Sequence, residues 1–136
     1  MSEKQSSFKF IGVRILRSNF NFGNFTPSDM VINISPQGLF ERKSKEYTLV
    51  LDVRIADAMG TEFIAVASES KFQFEETFED EIPNYFTLNA PAITFPYIRA
   101  YISSLSSLSG IGMLNLPILN LVDLVERLKT NYSVKD

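Results

Sequence analysis

The sequence predicts an α+β domain, an antiparallel sheet of four strands followed by two helices, and three observations carry that reading. From Phe8 to Phe74 apolar residues recur mostly at a period of two, the spacing of a strand with one buried face. From Phe95 onward the recurrence changes to the three-and-four spacing of a helix. With 136 residues, 45% of them hydrophobic and 21% charged, the chain holds enough apolar material for one domain over 1–136 and too little for two.

In the first strand Phe8 and Phe10 alternate, then the phase slips to Val13 and Ile15 with Gly12 between, the pattern of a β-bulge. The strand is expected to end near Leu16, because Asn19 to Pro27 breaks the alternation with Asn, Gly and Pro. Met30, Ile32 and Ile34 resume it as a second strand, which Pro36 and Gly38 should turn. Tyr47, Leu49, Leu51, Val53 and Ile55 give the clearest strand, with Thr48, Val50, Asp52 and Arg54 on its other side. Asp57 to Gly60 is a short turn, and Phe63 to Phe74 returns antiparallel. The acids Glu75, Glu76, Glu79, Asp80 and Glu81 lack the spacing of a calcium loop and read as a solvated connection.

The long helix is expected to be capped at Thr94 or Phe95, with Pro96 in its first turn and Gly110 closing it. Ile98, Tyr101, Ile102, Leu105 and Leu108 fall at helical spacing, while Ser103, Ser104, Ser106, Ser107 and Ser109 leave room for another backbone to approach. A stripe that wide predicts a helix sandwiched between two surfaces. Ile111 to Leu119 is an apolar crossover, after which Asn120 can cap a last helix. Leu121, Leu124, Val125 and Leu128 form its apolar stripe, and Asp123 with Arg127 an ion pair on its surface.

Composition narrows the chemistry. With no Cys and no His, the chain lacks thiol nucleophiles, thiolate zinc ligands and the commonest general base. No G-x-S-x-G turn and no phosphate-binding glycine motif is present, so neither an enzyme nor a cofactor or metal site is expected. A net charge of −3 has the wrong sign for a phosphate backbone, so no nucleic-acid partner is expected. No apolar run approaches the roughly 18 residues of a membrane span, and the polar start MSEKQSSFKF has no signal-peptide core, so a cytoplasmic protein without membrane insertion is expected. Twelve Phe without a Trp is either a Phe-rich core or an excess held for interfaces and apolar clefts.

The C-terminal third resembles the SecB family of protein-export chaperones. The resemblance rests on Phe95-Pro96-Tyr97 with Arg99, Ile102 and Ser103, on Gly110, and on Leu114-Asn115-Leu116-Pro117 leading to Asn120 and Asp123-Leu124. Upstream, Tyr47, Val53, Gly60 and Phe63 fall where the family has its third and fourth strands. The chain departs from the pattern at Ser109, where Arg is usual, at Leu121, where Phe is usual, and in a shorter segment before the long helix.

The resemblance implies a four-stranded antiparallel sheet with both helices on one face, assembled as a homotetramer, a dimer of dimers. It implies a holdase that binds unfolded preproteins without nucleotide hydrolysis and passes them to the export ATPase. Client segments would lie against Met30, Ile32, Ile34, Phe72, Phe74, Leu116, Leu121 and Leu124, each of which is on its own also a core candidate. Subunits would pair through Ile98, Tyr101, Ile102, Leu105 and Leu108. The family's ATPase-docking acids align with Asn19, Gly23 and Val66, none of them acidic, so weak or absent docking is expected. Three rivals are an adaptor or structural subunit for one folded partner, a chaperone dedicated to an antitoxin, and a carboxylate-only hydrolase, for which no paired acids are found.

Overall fold

The alternation of the first two thirds is realised as one sheet in the computed structural model, which describes residues 8–23, 30–75, 84–114, 116 and 121–135. Strands β1 (Lys9–Phe20), β2 (Val31–Glu41), β3 (Glu46–Ala56) and β4 (Glu62–Gln73) are followed by helices α1 (Asn84–Leu108) and α2 (Leu121–Thr130) and a short strand β5 (Tyr132–Lys135). The strand order is β1-β4-β3-β2-β5. The first four strands pair antiparallel, and β5 adds to β2 in parallel.

Leu49, Leu51, Val53 and Ile55 of β3 are fully buried, as are Ile64, Val66 and Phe72 of β4, and on this face the sheet meets the helices. From α1 the core receives Ala90, Phe95, Ile98 and Ile102, and from α2 Leu124 and Leu128. Thr94 Oγ1 donates to Ser70 Oγ at 2.8 Å and pins α1 to β4 inside this core. The turn between β3 and β4 is built on Asp57, whose Oδ1 accepts from the backbone N–H groups of Met59 and Thr61, both at 2.9 Å.

The bulge expected at Gly12 is present as a register shift between Phe10 and Gly12. A second shift between Ile15 and Arg17 carries β1 on to Phe20, past its expected end at Leu16. Three other boundaries differ. The second strand does not turn at Pro36 but continues through Pro36 and Gly38 to Glu41. The Gly38 N–H points away from β3, to Asn131 O at 3.0 Å, so by alternation Pro36 directs its nitrogen outward too and removes no bond to β3. Gly38 is needed because a Cβ there would stand 2.7 Å from Tyr47 Oη.

The long helix starts ten residues before Thr94 and takes both Pro91 and Pro96 into its interior. Each proline removes one helical hydrogen bond, a cost met by the burial of Ala90, Phe95, Ile98 and Ile102 against the sheet. Strand β5, which no alternation longer than Tyr132 and Val134 announces, was not expected at all. The acidic run 76–81 and the Asn120 cap lie outside the described residues.

Candidate functional site

The serine-bearing side of α1 receives a backbone, and it is the chain's own. Ser103 Oγ donates to Leu114 O at 2.7 Å, while the Leu114 N–H donates to Ser106 Oγ at 3.0 Å. The crossover is thus latched to α1 at both polar groups of one residue, and Leu114 and Leu116 are buried. Small hydroxyl side chains permit this approach because they bring their own donors and acceptors where a larger residue would keep the backbone away. Below the crossover α2 lays Leu124 and Leu128 into the core, and its end is tied to β2 by Asn131 Nδ2, which donates to Pro36 O at 2.7 Å. The surface pair Asp123 and Arg127 stands at 3.7 Å.

Of the residues named for client binding, Ile34, Phe72, Phe74, Leu116 and Leu124 are buried in the core of the single chain. Met30 and Ile32 pack against that core while keeping part of their surface accessible. The side chain of Leu121 lies outside the described residues. Exposed apolar residues on β2, the crossover, α2 and β5 are instead Val31, Met113, Val122, Tyr132 and Val134, with Val31 on the open face of the sheet. Periodicity could not separate the two sets, because a buried and a half-buried residue obey the same spacing.

The residues named for subunit pairing divide by side of α1. Ile98 and Ile102 are fully buried against the sheet, so they are not surface residues of the subunit. Tyr101 and Leu105 are half-buried, Leu108 is 83% exposed, and Tyr97, one turn before Tyr101, is half in solvent. Tyr97 packs tilted against Phe10 at 5.5 Å, and Tyr101 Oη lies 2.7 Å from Ser18 Oγ, which fixes both rings along the border between α1 and β1. Tyr97, Tyr101, Leu105 and Leu108 therefore form one outward stripe. The described Phe residues, by contrast, are buried or packed on the core, so the exposed apolar surface is Leu, Ile, Val, Met and Tyr.

The other face of the sheet carries the charges. Arg14 meets Glu69 at 3.1 Å, Arg17 meets Asp52 at 3.5 Å, Arg54 meets both Asp52 (2.9 Å) and Glu62 (3.1 Å), and Lys71 meets Glu46 at 3.6 Å. Arg17, Ala67 and Asp52 are neighbours across three strands, so the Arg17 to Asp52 pair bridges over Ala67 and leaves it 6% exposed. Val66, which the resemblance aligns with a docking acid, is fully buried on the helix-covered face, whereas Ala65 and Ala67 hold the open face beside it. A slip of one residue in a strand exchanges the two faces.

Among the described residues no group of three or more acids lies close enough to hold a metal ion. Burial pushes the Tyr47 phenol above its usual range, so the group stays neutral inside the core. No described helix is long and apolar enough to cross a membrane.

No family model and no curated protein matches the chain in sequence. Among solved structures, it is similar to the SecB-like chaperone Rv1957 of Mycobacterium tuberculosis, determined in complex with a ChAD peptide from the antitoxin Rv1956 HigA1. That likeness has a TM-score of 0.67 at 14% identity and covers 83% of this chain and 91% of that one. It is also similar to a protein of unknown function from Streptococcus agalactiae, with a TM-score of 0.50 at 12% identity over 83% of this chain and 98% of that one. The fold is therefore SecB-like: four antiparallel strands, a small fifth, and two C-terminal helices.

Proposed function

We propose that this protein is an ATP-independent holdase that binds unfolded polypeptides through exposed apolar surface. The observation that carries the reading is the likeness in fold, over 83% of the chain, to a chaperone determined with a peptide bound. Exposed Met113 and Val122, with half-buried Met30 and Ile32, supply apolar area of the kind that work needs, at about 25 cal/mol for each Å² buried. Such contacts set no geometry for a reaction and discriminate little among clients.

Assembly is part of the proposal. The outward stripe of Tyr97, Tyr101, Leu105 and Leu108 is the surface through which subunits pair, first as dimers and then as a tetramer. A mass of one subunit by light scattering at micromolar concentration would refute it.

A second reading narrows the clients. Because the peptide in the similar structure comes from an antitoxin, the client here is a single aggregation-prone antitoxin in place of many preproteins. Delivery to an export ATPase has less support, since the acids of the open sheet face are paired with bases. The deciding assay adds the protein in equimolar amount to several unrelated denatured proteins. A general holdase suppresses the aggregation of all of them, a dedicated one only that of its own client, and an adaptor for a folded partner none.

A further inference from the structure

We propose that the outer edge of β2 pairs with an extended segment of an unfolded client, and that β5 is the chain's own occupant of that edge, displaced when the client binds. The inference rests on the holdase reading and adds the main-chain contact to it. Two donors mark the direction of the edge: the Gly38 N–H points to Asn131 O at 3.0 Å, and the Arg42 N–H to Lys135 O at 2.8 Å. What sits there is an extended main chain in parallel register, Gly38 opposite Tyr132 through Glu41 opposite Lys135.

The hold on β5 is weak. All of its residues are exposed, it spans four positions, and parallel pairing is the less stable kind. Tyr132 lends it one aromatic contact, edge-on to Phe40 at 6.1 Å. An unfolded client carries many segments with an aromatic or β-branched residue at alternate positions, as Tyr132 and Val134 are placed, and with free main-chain donors and acceptors. A folded protein has already spent those groups on its own ladders. The edge thereby selects for unfolded chains without selecting for sequence. Toward the start of β2 from Gly38 no described strand covers this side, because the chain that precedes β5 is helix α2, which ends at Thr130.

While β5 is seated, apparent client affinity falls by the fraction of time the edge is open: an occupancy of about nine-tenths costs about tenfold. The chain contains no cysteine, so Leu39→Cys combined with Ser133→Cys, facing positions of the ladder, links or frees β5 by oxidation alone. The probe is fluorescein-labelled, reduced and carboxymethylated lactalbumin, followed by anisotropy. The oxidised variant, with the edge closed, should lose most of the binding seen with the same variant reduced, and at that occupancy a chain ending at Asn131 should bind it about tenfold more tightly than wild type. Equal binding by oxidised and reduced forms, with both binding well, overturns the edge proposal and leaves the holdase reading standing. Absence of binding by wild type and reduced variant alike overturns both.

Discussion

The two faces of the sheet are built from the same strands and do opposite work. On the covered face the side chains of β3 and β4 are buried and, apart from Ser68 and Ser70, apolar. On the open face the alternate residues of those strands, with β1, form ion pairs whose arginines are largely in solvent: the Arg14 and Arg17 side chains are 73% and 71% exposed. Burial of apolar area stabilises the first in proportion to what leaves water, whereas exposed pairs are screened and contribute about 0–1 kcal/mol each. The difference teaches where stability sits and where evolution is free to change the surface. Substitutions graded from one face to the other test it.

The largest effect belongs to the covered face. Ile98→Ala on α1, fully buried against the sheet, should lose about 2–5 kcal/mol in urea unfolding. A loss below 1 kcal/mol would mean that α1 does not pack as described. Next is Gly38→Ala, which sets a methyl group 2.7 Å from Tyr47 Oη and 2.9 Å from its ring. Overpacking of this kind costs about 1–3 kcal/mol. Adding Tyr47→Phe removes the nearer contact and should return part of that loss, a recovery that independent sites would not give. Third is Ser106→Ala, which leaves the N–H of buried Leu114 without its acceptor, at about 1–2 kcal/mol. The loss should be accompanied by faster amide exchange at Leu114.

The covered face was the more legible in sequence, and the physical reason is locality. Tyr47 to Ile55 alternate without interruption, and the Gly12 bulge is visible as a slip of phase within six residues. The serine side of α1 also told of a close backbone approach, which within the subunit is made by the crossover at Leu114. Proline misled twice: Pro36 and Pro96 read as a turn and a helix start, yet one lies at a sheet edge and the other inside a helix held by tertiary burial. The client and interface sets were only half legible, because Ile98 and Tyr101 share a helical stripe while the sheet covers the first wholly and the second only in part. The open-face pairs were not legible at all. Arg14 and Glu69 are 55 positions apart in the chain, and only the strand order brings them opposite each other.

The smallest stability effect is expected on the open face, and it sharpens the comparison by separating stability from recognition. Glu46, Asp52, Glu62 and Glu69 are matched there by Arg14, Arg17, Arg54 and Lys71. A basic partner approaching this face therefore meets little net field, and its association gains nothing from steering. Replacing Arg14→Gln and Arg17→Gln together removes two exposed partners, which should change unfolding free energy by less than about 1 kcal/mol. Electrostatically the same change is large: Glu69 loses its partner, Asp52 keeps only Arg54, and the face becomes net acidic. In calorimetry at low salt against the host's export ATPase, wild type should give no salt-sensitive binding, and the double variant should acquire binding that fades within the first 0.1–0.2 M of added salt, where the screening length falls to about 8–10 Å. Tight, salt-sensitive binding by wild type itself would show that the paired acids still steer, and that the open face serves recognition as it stands.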